Sequence, residues 1–167
     1  MTQKKSIAIS ACLLGHKVRY DGEHQASAIL LEGLPTRFNI IPVCPEIEIG
    51  LGVPRTKIAL YRQGSKICLL STTQPVIDLT ERMMTYAQLF MDQYALAGLV
   101  LKDKSPSCGI NNCKIWDEQG SMQRNASGIF AAAIMQLQPN LPIWQSNAIL
   151  GEGELQEFIQ QVGAYAD

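Results

Sequence analysis

The chain has 167 residues, 47% of them hydrophobic, enough for a single domain (1–167) to bury a real core without disulfide staples. With 14 Lys and Arg against 15 Asp and Glu, it lacks the positive excess of a protein that grips nucleic acid by its phosphates. That balance leaves a small-molecule substrate, or nucleic acid held only locally.

Residues 5–11, "KSIAISA", alternate and carry isoleucine, which predicts a first strand. The strand runs into "ISAC" (9–12), which looks like a lipoprotein cleavage box. The apolar segment behind it spans only residues 6–11 and holds two serines, whereas a signal peptide needs roughly 7 to 15 apolar residues. No stretch approaches the ~18 apolar residues of a membrane span. The expectation is a cytoplasmic protein without a membrane partner, whose five cysteines stay reduced. An odd count also argues against a closed disulfide framework.

Residues 26–33 predict two turns of helix and 38–43 a short buried strand cut off by Pro45. Residues 57–71 hold two β-rich runs split by Gln63-Gly64-Ser65, a hairpin signature. Asp78 or Thr80 caps a predicted helix through Ala97, stopped by Gly98, with strand "LVLK" (99–102) behind it. A helix over 126–137, a short strand "LPIW" (141–144) and a last helix over 152–164 complete the reading. Strands separated by helices predict an α/β fold, a single three-layer domain with a mostly parallel, Rossmann-like sheet and a small β-hairpin. Ligands in such folds gather at the carboxyl ends of the strands.

Cys12, Cys44 and Cys108 each follow a predicted strand of this kind. If those strands are parallel neighbours, all three sulfurs project from one edge of the sheet. Their wide separations match no zinc-ribbon or ferredoxin spacing, so the signal is topological. Taken singly, each is a small buried hydrophobe; taken together, with Pro and Gly around Cys44 and Cys108, they predict a functional cluster. Soft thiolates select zinc, copper(I) or iron-sulfur clusters, and three of them leave a metal position open. Cys68, inside a β-rich run, reads as core. Cys113 is either a further ligand or a loop thiol.

The blocks "SACLLG" and "VRYDG" (10–22), "PVCPEIEIGLGVPR" (42–55), "DLT" (78–80) and "LKDKSPSCG" (101–109) resemble, in order, the signatures of the bacterial DUF523 family. The likeness weakens beyond Cys113, where this chain has "CKIWDEQGSMQRNASG". The resemblance implies a [4Fe-4S] cluster held by Cys12, Cys44 and Cys108, with its fourth iron open. It also implies non-redox desulfuration of a thiolated uracil, as 2-thiouracil or a thiouridine nucleoside, with sulfur leaving to that iron. Position by position, Glu46 and Ser105 match the family's catalytic carboxylate and hydroxyl.

Residue chemistry is compatible with those roles. Glu46, two residues from Cys44, is placed to accept a proton from attacking water, and Ser105 to donate a hydrogen bond or relay a proton. Their bland readings are turn-capping groups. Arg19, Tyr20 and Asp21 form a turn that doubles as a substrate rim, and Ser107, a hydroxyl beside Cys108, is expected to bind substrate with them. Arg55 pairs with an acidic side chain or contacts an anion. His16 and His24 lack metal-ligand spacing, Lys102 solvates a strand end, and Trp116 and Trp144 pack. Two other functions fit the same thiols: a zinc-thiolate hydrolase or lyase, and a non-catalytic iron-sulfur or redox-sensing module.

Overall fold

The structure is a computed structural model that describes residues 3–165. Strand β1 (Ser6–Ser10) lies between β2 (Asn39–Val43) and β5 (Leu96–Leu101), and β8 (Ile143–Gln145) extends the sheet beyond β5. Every pairing in this β2-β1-β5-β8 sheet is parallel. The apolar run Leu96–Leu101 is buried throughout, as expected of a strand covered on both faces.

Successive side chains of a strand point to opposite faces, and here each face meets a helix pair. Ala8, Val43, Leu99 and Leu101 pack with α3 (Thr80–Gln93) through Met83, Ala87 and Phe90, and with α4 (Ile129–Leu137) through Phe130, Ala131 and Ile134. Ile7, Ile9 and Val100 pack on the other side with Leu30 of α1 (Ala28–Gly33) and with Leu155, Phe158 and Val162 of α5 (Glu152–Ala164). Each such large side chain stabilises the fold by about 1.5–3 kcal/mol on full burial. The result is the expected three-layer α/β arrangement.

The hairpin β3 (Ile58–Gln63) and β4 (Lys66–Ser71) forms as predicted but does not stand alone. Strand β3 pairs in parallel with β6 (Cys113–Trp116), which turns back into β7 (Met122–Ala126), giving a second sheet ordered β4-β3-β6-β7. Leu60, Leu69, Ile115 and Ala126 of that sheet join the α3/α4 side of the core.

Strand β2 is not the buried strand its sequence suggests: it lies at the sheet edge, with Asn39 and Pro42 exposed, and two predicted boundaries also need correction. Helix α3 ends at Gln93, and Gly98 lies inside β5 instead of capping a helix. A Cβ at Gly98 would stand 2.7 Å from Val162 Cγ2 and 3.3 Å from the Pro142 carbonyl, so this glycine lets α5 and the neighbouring strand close on β5. Helix α4 begins at Ile129, because Ala126 is still paired with Cys113 in the second sheet. Among the described residues, no helix is long and apolar enough to cross a membrane.

Candidate active site

The chain leaves β1 for β2 on one side and later returns to β5 on the other. The carboxyl end of β1 is therefore the topological switch point of the sheet, where such folds open a crevice. Cys12 sits there in a short 3-10 turn, Ala11–Leu14. Cys44 joins β2 to the single helical turn α2 (Pro45–Glu48), with Pro45 in the first helical position that its missing N–H and fixed φ suit. Cys108 lies in the loop after β5. The three free thiols line one cavity of about 290 Å³, together with Ser10, Arg19, Tyr20, Glu46, Arg55 and Ser105.

These sulfurs feel one another. Burial, then the charges of Glu46, Cys44 and Cys12, push the Cys108 thiol well above its ordinary value, against a hydrogen bond with Ser10. Burial and the charge of Cys44 raise Cys12, against Lys102 and Arg19. Cys44 is raised by burial, opposed by the backbone at Ile47 and by Arg55. In all three, burial favours the neutral thiol.

The loop that carries Cys108 is held from two sides. Ser105 Oγ accepts the backbone N–H groups of Ser107 (3.2 Å) and Cys108 (3.1 Å), which leaves its own O–H proton available. The Ser105 carbonyl accepts Gly109 N–H at 2.8 Å and the Cys113 thiol at 3.0 Å. On the far side, the first turns of α4 take up the loop's carbonyls: Ile129 N–H donates to Pro106 O and Ala131 N–H to Ser107 O, both at 3.1 Å. Gly128 enters that helix so close to the loop that a Cβ would fall 2.3 Å from Ser107 C and 2.6 Å from Cys108 N.

Glu46 occupies the first turn of α2 and is fixed at both oxygens. Its Oε2 accepts Arg55 Nε at 2.8 Å and lies 2.7 Å from a terminal guanidinium nitrogen of the same residue. Its Oε1 accepts the Ser107 hydroxyl at 2.9 Å. This joins the turn after β2 to the loop after β5 at the wall of the cavity.

Of the residues singled out from sequence, Cys12, Cys44, Cys108, Glu46, Ser105, Ser107, Arg19 and Tyr20 all line the cavity. Asp21 is not among its lining residues; it accepts Glu23 N–H and lies 3.5 Å from Arg19 Nε on the outside of the turn. His16 and His24 are also outside it, and Trp144 packs edge-on against Phe158. Cys68 is core and Cys113 is buried behind the loop, where burial pushes its thiol up to about 11.

Sequence reasoning takes Lys102 for a solvated strand end and passes over Asp103 and Lys104, yet all three line the cavity. Lys102 pairs with Asp103 at 2.6 Å, and Ser146 donates to the same carboxylate oxygen at 2.7 Å. Burial would raise the Asp103 carboxyl, but these two partners outweigh it and hold it below its usual range. Their adjacency to the Cys108 motif is the signal that the sequence offers for them. Beside the cavity runs a second cleft of about 460 Å³ that shares Tyr20, Glu46, Lys104 and Pro106 and adds Lys57, Lys114, Trp116 and Arg124.

Three comparisons bear on this arrangement. A solved structure described as a [4Fe-4S]-dependent thiouracil desulfidase, TudS, superposes with a TM-score of 0.70 at 26% identity, covering 94% of this chain and 99% of that one. A Bacillus subtilis (strain 168) protein designated uncharacterized protein YbbK is 30% identical over 110 residues, 62% of this chain and 72% of its own length. The family model for 2-thiouracil desulfurase matches residues 7–146. That match runs from β1 through β8 and takes in every strand end that builds the cavity, and on that extent the chain belongs to the 2-thiouracil desulfurase family.

Proposed function

We propose that this chain is an iron-sulfur-dependent desulfurase that converts a thiolated uracil to uracil by hydrolysis. The observation that carries the reading is the convergence of Cys12, Cys44 and Cys108, from three adjacent parallel strands, on one cavity that also holds Glu46 and Ser105. The structural relative described as [4Fe-4S]-dependent supports the choice of metal group.

The donor set fits such a cluster. Three free thiols border a shared cavity, and soft thiolates are the donors that iron-sulfur clusters take. A [4Fe-4S] cluster held by Cys12, Cys44 and Cys108 supplies, when bound, a Lewis-acidic iron with a position free of protein ligands and an affinity for sulfur.

The chain's own residues handle water and protons. Water adds its oxygen to the thiocarbonyl carbon as the carbon–sulfur bond breaks, and the products are a carbonyl and hydrogen sulfide, with no change in oxidation state. Glu46 accepts the proton of the attacking water, and Ser105, whose O–H is uncommitted, donates to the ring. Arg19 and Tyr20 wall the opening, with Asp21 acting only through its pairing to Arg19. Ser107 holds Glu46 in place of a direct contact with substrate. The adjoining cleft, with Lys57, Lys104, Lys114 and Arg124 on its walls, supports a substrate extending beyond the free base, a nucleoside bearing an anionic group.

Anaerobic reconstitution with iron and sulfide tests the cluster. A brown protein with broad absorption near roughly 400 nm, from thiolate-to-iron charge transfer, is the expected result. A protein that stays colourless overturns it.

A further inference from the structure

We propose that Arg55 is a positioning residue for the reaction: it fixes Glu46 so that Oε1, the oxygen bonded to Ser107, is the one that takes the proton from water. The proposal rests on the desulfurase reading above. Its physical basis is which oxygen the cation covers. Arg55 Nε donates to Oε2 at 2.8 Å and a second guanidinium nitrogen lies 2.7 Å from that same oxygen, while Oε1 meets only the neutral Ser107 hydroxyl, at 2.9 Å. A carboxylate oxygen offers about two acceptor sites, so Oε1 keeps one away from the guanidinium.

The guanidinium is itself immobilised. Its third nitrogen donates to Gly52 O at 2.9 Å, and the Arg55 backbone N–H donates to Tyr20 O at 3.0 Å, which ties the same residue to the rim of the cavity. The Glu46 carboxylate thus meets a guanidinium that is itself held at Gly52 and, through its backbone, at Tyr20.

Stability alone does not explain the pair. The side chains of Arg55 and Glu46 are 5% and 14% exposed, and a buried ion pair repays its desolvation poorly compared with apolar packing. What a guanidinium supplies is direction, because its planar N–H donors fix where the Oε2 acceptor sits. A lysine keeps the charge and loses the planar donors.

Arg55→Lys and Glu46→Gln, singly and combined, test the assignment in protein purified anaerobically. Arg55→Lys should keep the cluster absorption and leave KM within about twofold while kcat falls by about 10²-fold, the cost of a misplaced catalytic group. In the Glu46→Gln background the same change should cost nothing further, since Arg55 acts only through Glu46. An unchanged kcat, or losses that multiply in the double variant, overturns the proposal. Crystal structures of the metal-free wild type and Arg55→Lys give an independent readout: the Glu46 carboxylate should turn away from Ser107 in the variant, and an unmoved carboxylate overturns the assignment. Should the wild type itself release no sulfide, the desulfurase reading falls, and the crystal structures still decide whether Arg55 positions Glu46.

Discussion

Ser107 Oγ donates to Glu46 Oε1 across 2.9 Å, joining residues 61 positions apart in the chain. Ser107 is completely buried, so this hydroxyl serves the carboxylate and not the solvent. Glu46→Gln keeps the shape and removes the proton acceptor, and should lower kcat by about 10²- to 10⁴-fold with the cluster retained. Ser107→Ala removes one hydrogen bond to a charged group, roughly 1.5–3 kcal/mol, and should cost about tenfold or more. Steady-state sulfide release measures both, and a Glu46→Gln variant as fast as wild type removes that residue from the mechanism.

Gly128 lies outside every cysteine motif, yet it faces the peptide that carries Cys108. Its φ of −60° and ψ of 150° suit any residue, so the effect of a methyl group there is purely steric. Gly128→Ala should destabilise the protein by about 1–3 kcal/mol through overpacking and displace Cys108 from the cavity. Iron content after reconstitution and denaturant midpoint together check this. Full loading with an unchanged midpoint would show that the contact yields.

The raised thiols make a pH prediction for metal-free protein. Cys12, Cys44 and Cys108 sit above the ordinary thiol value of 9.0, and Cys113 at about 11. Once the pH passes the unfolded value, the unfolded chain sheds thiol protons that the folded chain keeps. Folding stability should therefore be full below about pH 9 and fall as the pH climbs toward the folded values. Urea unfolding on either side of that point measures the slope, and serine at Cys12, Cys44 and Cys108 should flatten it. A slope indifferent to those substitutions contradicts the assignment.

The basic cleft predicts selectivity between substrates. Lys114 and Arg124 are exposed on the second sheet and line the cleft without lining the cysteine cavity. Reversing both to Glu should raise KM for a 5′-phosphorylated thiouridine about tenfold, from two partly exposed charge contacts of ~0.2–1 kcal/mol each lost and turned repulsive. KM for 2-thiouracil should not change. Equal effects on both substrates would place the anionic group elsewhere.

Much of this site is legible in the amino-acid sequence, because its logic is topological. Cys12 and Cys108 follow buried apolar strands and Cys44 a half-buried edge strand, and parallel pairing of those strands brings the sulfurs to one edge. What stays hidden is long-range. The strand Met122–Ala126 reads "MQRNA", with no apolar alternation to announce it, and it exists because it pairs with β6. Gly98 looks like a helix stop in sequence, but its missing side chain answers to Val162, far along the chain. Arg55 reads first as a salt bridge and second as an anion contact, but its partner, Glu46, is seen only in the fold.

Hydrolytic desulfuration at the cysteine-lined cavity takes its oxygen from water and needs no electron donor. Turnover of a thiolated uracil by the reconstituted protein, in water enriched in heavy oxygen and without added oxidant or reductant, is the decisive measurement. Equal amounts of sulfide and uracil are expected, with the new carbonyl oxygen drawn from water and no product from Cys108→Ala. Sulfide release that requires an electron donor, or uracil without the label, would contradict hydrolysis.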